Sequence, residues 1–117
     1  MAALNAHDPD RIAGCVAEDF VNEHTSARGH SLRGRAAYRA ALDRFLADFA
    51  DLRYDVAQLL VDGDRAAAEY LMSFRMVRAG GRPVSIRGVF LFRVDDAGRI
   101  AHRVDFWDSA EVDRQLA

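Results

Sequence analysis

Lysine is missing from this sequence altogether, because all 16 basic side chains among its 117 residues are arginine. A protein without lysine has no amine side chain that could form a Schiff base, so that class of covalent catalysis is excluded. Cys15 is the single cysteine, which excludes an internal disulfide. No group of cysteines and histidines has the spacing of a zinc site. We therefore expect neither a metal nor another cofactor.

Charge imbalance and long apolar runs are absent as well. The formal net charge is −2 and half of the residues are hydrophobic, which is typical of a globular domain. There is no basic excess that would indicate nucleic acid as a partner. No apolar run is long enough to span a membrane, and the opening "MAALNAHDPD" lacks the charged and apolar regions of a secretory signal. We expect one soluble, cytoplasmic domain over residues 1–117.

Two segments have the pattern of helices. In "HDPDRIAGCVAEDF", Asp8 is a good N-cap and Pro9 suits the first helical position. We expect this helix to end near Asp19 and a short strand to follow over residues 19–24. The predicted apolar face of the helix consists of Ile12, Cys15 and Val16.

The second and longer helix is predicted over residues 34–52, "GRAAYRAALDRFLADFADL". Its apolar side chains recur with helical spacing, and charged side chains occupy the opposite side. The apolar stripe consists of Tyr38, Leu42, Phe45, Leu46 and Phe49. A stripe of this width needs a large apolar surface against which the helix can pack.

The rest of the chain is predicted to supply that surface as a sheet. The turn signals "VDGDR", "RAGGRP" and "DDAGR" separate four segments rich in β-formers, which predict an antiparallel meander. Gly88 lies within the third segment and indicates a bulge or a sharp bend. The order of elements predicts an α+β fold, in which a cone-shaped, curved antiparallel sheet wraps around the long amphipathic helix. The open end of such a cone is a natural ligand pocket. The predicted strands span residues 54–61, 66–77, 84–94 and 100–107.

Four stretches of the sequence resemble a known family: "NEH", "DFADL", "VDGDRAAAEY" and "GRIAHRVDFWDSAEVDRQL". The chain resembles the SnoaL-like branch of the nuclear transport factor 2-like superfamily, which includes polyketide cyclases, ketosteroid isomerases and limonene-epoxide hydrolases. The resemblance covers nearly the whole chain, and its last stretch is the most specific part. It implies a cystatin-like cone, a homodimer formed through the outer sheet face, and a small apolar or polyketide-like ligand.

Asp105 is the candidate catalytic residue. Strand alternation places it on one face with Arg103 and Trp107, and His102 on the other. If the first face meets the cavity, burial raises the pKa of Asp105 and makes it a usable acid or base. The resemblance implies the same role, because family cyclases carry their acid/base aspartate at this position. The alternative is an ion pair with Arg103. Asp108, in contrast, is predicted to cap a last short helix, "SAEVDRQL".

Five further residues are candidates for binding a substrate. The resemblance implies a histidine near the pocket mouth, which corresponds to His24. The Tyr70 hydroxyl could steady an oxyanion, and Arg87, if it faces the pocket, would attract a carboxylate or an enolate. Arg103 and Trp107 share a strand face with Asp105. For Tyr70 and Arg87, the alternatives are a wall of the cone and an exposed sheet face.

Three functions are compatible with these residues. The first is a cofactor-independent cyclase or isomerase, in which Asp105 transfers a proton next to a carbonyl group. The second is a non-catalytic module that binds a hydrophobic ligand in the same cone. The third, an epoxide hydrolase, would need a second acid from Glu69 or Glu23, because Tyr70 and Met72 stand where that branch carries its arginine and second aspartate.

Overall fold

The computed structural model describes residues 1–117. Its α-helices are α1 (Ala2–Asn5), α2 (Pro9–Gly14), α3 (Arg35–Asp48) and α4 (Ser109–Leu116), and a 3-10 helix spans Val77–Ala79. Its strands are β1 (Val16–His24), β2 (Leu32–Arg33), β3 (Phe49–Asp62), β4 (Arg65–Met76), β5 (Arg82–Val94) and β6 (Ile100–Phe106). None of the helices is long and apolar enough to cross a membrane.

All six strands form one curved, open sheet in the order β2-β1-β6-β5-β4-β3. Strands β3 to β6 are the predicted antiparallel meander. Strand β1 adds to β6 in the parallel direction and pairs with the short β2 on its other side. Helix α3 packs against the inner face of this sheet. The α+β fold with a curved sheet around a long helix is therefore confirmed.

The first helix is shorter than the sequence predicts. Asp8 caps it as expected, because its Oδ1 accepts hydrogen bonds from the backbone amides of Asp10 and Arg11 at 3.1 and 3.3 Å. The helix ends at Gly14 instead of near Asp19, because the next residues join the parallel ladder with β6. Cys15 was predicted to lie on the apolar face and is exposed instead, since it follows the last helical turn.

The long helix also ends earlier than predicted, at Asp48 instead of residue 52. Phe49 already pairs with Met76 in the ladder between β3 and β4, so sheet pairing takes over from the helical pattern. Within α3, Tyr38 and Leu42 are buried. The other three members of the predicted stripe are only partly buried, because they lie towards the end of the helix that borders a cavity: Phe45, Leu46 and Phe49.

Gly88 provides space for an aromatic ring. It pairs directly with Tyr70 of β4, and the register between β4 and β5 runs through this pair without a shift. The sequence predicted a bulge or a sharp bend at Gly88, and the bulge is not present. A side chain at this position would collide with the phenol group of Tyr70 and would lie 2.9 Å from the carbonyl oxygen of Phe106. The glycine thus allows the Tyr70 ring to lie across β5 towards β6.

We expect Gly88→Ala to destabilise the protein by about 1–3 kcal/mol, the usual result of overpacking a tight core. The matched control is Gly14→Ala, because a Cβ there meets nothing within 4 Å. That control should be neutral or slightly stabilising. Urea unfolding of the two variants measures the difference, and equal stabilities would contradict this account of Gly88.

Candidate active site

A cavity of about 770 Å³ lies between the inner face of the sheet, α3 and α4. It has the volume of a small-molecule site, and 17 of its 29 lining residues are hydrophobic, as such sites require. The apolar lining includes Phe45, Phe49, Met72, Phe74, Met76 and Ile86. A polar cluster in the same cavity consists of Asn22, His24, Tyr70, Arg103, Asp105 and Trp107.

Asp105 is a buried carboxyl group at the end of β6, with an exposed fraction of 6%. The alternation of β6 places it inward together with Ala101 and Arg103, as the sequence predicts. The Tyr70 hydroxyl donates a hydrogen bond of 2.6 Å to its Oδ1. Burial raises the pKa of Asp105 to about 6, although the hydrogen bond from Tyr70 and the charge of Arg103 act in the opposite direction.

Tyr70 keeps its proton throughout the physiological pH range. Burial raises the pKa of its phenol group, and the neighbouring Asp105 raises it further. In this geometry the hydroxyl donates to Asp105, so the predicted role of Tyr70 as an oxyanion donor would require that hydrogen bond to break. Tyr70 instead orients the carboxyl group by holding one of its two oxygens.

His24 lies beside Asp105, because the two residues pair in the parallel ladder of β1 and β6. Its Nδ1 is 3.5 Å from Asp105 Oδ2 and accepts a hydrogen bond of 3.1 Å from the indole N–H of Trp107. An indole can only donate, so this nitrogen carries a lone pair and the ring is neutral. Burial, helped by the charge of Arg103, lowers the pKa of His24 to about 4. His24 and Asp105 therefore do not form an ion pair at neutral pH.

Arg103 is buried between aromatic rings, with an exposed fraction of 8%. Its guanidinium carbon lies 4.8, 5.4 and 5.7 Å from the ring centroids of Phe90, Tyr38 and Phe20. Its Nε donates a hydrogen bond of 3.1 Å to Asn22 Oδ1. Asp105 and Arg103 do not form a direct ion pair, which was the alternative interpretation of Asp105. Arg103 acts on the carboxylate only through its charge at longer distance.

Arg87 and His102 both lie outside the cavity. Arg87 was predicted to bind substrate if it faced the pocket, but it is exposed on the outer face and bonds Glu69 at 3.3 Å. Side chains alternate between the two faces of β5, and Ile86, Gly88 and Phe90 form its inner face. His102 lies on the outer face as predicted and contacts Glu23 at 2.7 Å.

Asp108 is the N-cap of α4, as the sequence predicts. Its Oδ1 accepts a hydrogen bond of 2.9 Å from the Ala110 amide. It does not line the cavity. The two aspartates of the closing stretch therefore have separate positions, since Asp105 faces the cavity and Asp108 begins a helix.

Asn22 is the site residue that sequence reasoning missed. It is buried, it holds Arg103 through its Oδ1, and its amide nitrogen lies 3.4 Å from His24 Nε2. A signal was present, because Phe20, Asn22 and His24 stand at alternate positions of β1 and so share one face. The aromatic rings around Arg103 had no such local signal, because they come from β1, α3 and β5.

We expect Asp105→Asn to stabilise the protein relative to the wild type as the pH rises. The folded carboxyl group has a pKa of about 6 against 3.8 unfolded, so the native state binds the extra proton between these values and loses stability as the pH rises through them. The ionised carboxylate then costs about 3 kcal/mol, which asparagine avoids while still accepting the Tyr70 hydrogen bond.

Urea unfolding of both proteins at acid and at mildly alkaline pH tests this. The titration of His24 is common to both proteins and cancels in the difference. A stability difference that does not change with pH would show that the carboxyl group is not desolvated.

Comparison with known proteins gives the family. The model of the SnoaL-like domain matches residues 1–103. TsrD from Streptomyces laurentii is 30% identical with a TM-score of 0.81, over 99% of this chain and 87% of that one. A ketosteroid isomerase-like protein from Catenulispora acidiphila, solved with trimethylamine, is 18% identical with a TM-score of 0.86, over 98% and 89%.

An LEH-like epoxide hydrolase from M. tuberculosis is 23% identical with a TM-score of 0.81. That match covers 98% of this chain and 81% of the hydrolase. No curated protein matches the sequence. The family match covers most of the chain and agrees with the fold, and it ends before Asp105. The chain therefore belongs to the SnoaL-like domain family.

Proposed function

We propose that the protein is a small-molecule enzyme that transfers a proton next to a carbonyl group, as an aldol cyclase or an isomerase, with Asp105 as acid and base. The observation that carries this proposal is the buried carboxyl group in an apolar cavity, oriented by Tyr70 and free of a direct ion pair. A structural carboxylate would be expected to pair with the nearby guanidinium, whereas Arg103 bonds Asn22 instead.

The two oxygens of Asp105 have different roles in this reaction. Oδ1 accepts the hydrogen bond from Tyr70, which fixes the plane of the carboxyl group. Oδ2 lies 3.5 Å from the lone pair of His24 Nδ1 and is the oxygen that can take up a proton. A base with a pKa near 6 has an effective balance of proton affinity and ionised fraction at neutral pH.

The reaction balances with this one carboxyl group. Asp105 Oδ2 removes a proton from the carbon beside the carbonyl, and the electron pair of the broken C–H bond forms an enolate. In a cyclisation, the enolate carbon attacks a second carbonyl of the same molecule, and Asp105 returns the proton to the new alkoxide. In an isomerisation, Asp105 returns the proton to a different carbon. Neither route consumes water or an oxidant.

The epoxide-hydrolase alternative has less support. Opening an epoxide with water needs a base for the water and an acid for the departing oxygen. The two acids that could serve, Glu23 and Glu69, bond His102 and Arg87 on the outer face. The likeness to the M. tuberculosis hydrolase is a likeness of fold. A binding module would use the same cavity without turnover, and the assay below separates it from an enzyme.

We also propose that a second copy of the chain covers the outer face of the sheet, as the resemblance implies. Leu71, Leu91 and Phe106 lie there on three adjacent strands and are 40%, 43% and 43% exposed. A contiguous apolar patch on a sheet face indicates an interface. Glu69 and Arg87 beside it carry opposite charges, so a copy related by a two-fold axis can meet both.

We expect Asp105→Asn to reduce catalysed proton exchange by about 100-fold or more, the usual contribution of a general base. The assay follows the exchange of the α-protons of enolisable ketones and 1,3-diketones in heavy water by NMR, so no product needs to be known. The matched control is Asp108→Asn, which makes the same chemical change outside the cavity. Asparagine is an equally good N-cap, so that variant should keep full activity.

The wild-type rate should rise with pH and level off above about 6, because only the ionised carboxylate accepts a proton. Undiminished exchange in Asp105→Asn would reject Asp105 as the base. Tight binding of a ketone without any exchange would favour the binding module.

We expect Leu91→Arg to convert a dimer into monomers, because it places a charge within the outer apolar patch. Val77→Arg is the control, since Val77 is also exposed but lies on the 3-10 helix away from that patch. Sedimentation equilibrium measures the mass of each protein. A wild type that sediments as a single chain would contradict the proposed interface.

A further inference from the structure

Arg103 is the most buried arginine of the chain, and it has no carboxylate partner. Half of the 16 arginines form ion pairs with aspartate or glutamate, and these side chains are largely exposed. Arg103 has an exposed fraction of 8% and takes part in none of these pairs. The usual arrangement, in which a buried charge is paired and exposed charges need not be, is reversed here.

The side chains around Arg103 pack closely against it but leave most of its N–H donors without an acceptor. A guanidinium group has five N–H donors. One of them, on Nε, bonds Asn22, and no protein acceptor bonds the two terminal nitrogens. The rings of Phe20, Tyr38 and Phe90 attract the cation through their electron-rich faces. Burial of an ion is unfavourable unless its hydrogen-bonding groups find partners, so the terminal N–H groups are placed to gain from an acceptor supplied by a ligand.

The remaining charges around the cavity point to a single negative charge on that ligand. Of the three other arginines that line the cavity, Arg28 and Arg44 form ion pairs with aspartates at 2.9 and 3.8 Å. Arg78 has no carboxylate partner but is exposed, so Arg103 is the buried cation of the cavity. His24 is neutral, because its pKa is lowered to about 4. One planar guanidinium is suited to the two oxygens of a carboxylate, or to the oxygen of an enolate.

The rest of the cavity describes the body of the ligand. Its apolar lining is dominated by aromatic and methionine side chains from α3, β3, β4 and β5. Phe49 makes edge-to-face contacts with Phe45 and Phe74 at centroid distances of 4.8 and 4.7 Å, which gives this wall a fixed shape. A charged head next to such a wall fits an amphiphilic molecule.

We propose that Arg103 binds an anionic oxygen of the substrate through its terminal nitrogens, so that the cavity takes an organic monoanion, a carboxylate or a stable enolate, with an apolar body. This inference rests on the proposed function, because it names the class of compound that the same site converts. With an enolate, Arg103 also stabilises the charge that forms when Asp105 removes a proton.

The test compares three probes with the wild-type protein at neutral pH by isothermal titration calorimetry. Octanoate carries a carboxylate, octanamide is its neutral counterpart, and dimedone is a cyclic 1,3-diketone that is an enolate at this pH. If Arg103 forms hydrogen bonds to an anionic oxygen, octanoate or dimedone should bind about 10- to 100-fold more tightly than octanamide. Preference for octanoate identifies a carboxylate head, and preference for dimedone identifies an enolate.

The variants locate the charge that is responsible. Arg103→Gln should remove the preference for the anion, and Arg103→Lys should restore part of it, because lysine keeps the charge without the paired donors. Arg44→Gln and Arg78→Gln, at exposed residues that also line the cavity, should keep the preference. Circular dichroism establishes that each variant is folded, and the wild-type comparison stands without any variant.

Equal binding of octanoate and octanamide, together with no preference for dimedone, would overturn the inference. A preference that survives in Arg103→Gln but disappears in Arg44→Gln or Arg78→Gln would overturn it as well, because another arginine that lines the cavity would then be responsible. Neither result depends on turnover. A failure of Asp105 as the base would leave anion binding intact, and a failure of anion binding would leave the proton-exchange result intact.

Discussion

The hydrogen bond from Tyr70 to Asp105 is the contact on which the geometry of the site depends. The two residues are 35 positions apart in the sequence, and they lie on β4 and β6, which are not neighbours in the sheet. The strand between them is β5, and it is crossed at Gly88, the residue that pairs with Tyr70. A side chain at that point would push the phenol ring away from the carboxyl group. The position of the candidate base, Asp105, therefore depends on the lack of a side chain at Gly88.

The charges of the site compensate one another without direct contact. Burial raises the pKa of Asp105 and lowers that of His24, so both groups favour the neutral form. Arg103 opposes the first shift and strengthens the second, because it remains a cation in every state. A proton taken from the substrate by Asp105 moves the negative charge from the carboxylate to the substrate oxygen. The net charge next to Arg103 is then unchanged, which keeps the energetic cost of the step low.

Local patterns predicted most of the fold, but the residues that depend on distant contacts were missed or misplaced. The alternation of β6 correctly placed Asp105 inward and His102 outward. Both helices ended early, because pairing partners elsewhere in the chain decide where a strand begins. Arg87 was a binding candidate only if its face of the strand met the cavity, and in β5 that face lies outward. Arg103 became an interior cation through rings from three other elements, and no local pattern contains that information.

The number of acids in the cavity limits the chemistry that the site can perform. Hydrolysis requires one group to accept a proton from water while another group donates a proton to the departing oxygen. The polar cluster contains one carboxyl group, because the other two aspartates that line the cavity, Asp48 and Asp113, are paired with arginines. Glu23 and Glu69 face outward, where they bond His102 and Arg87. A single carboxyl group can still act twice in sequence, first as base and then as acid. Isomerisation and aldol ring closure both return the proton that they remove, so these are the reactions that a lone Asp105 can complete.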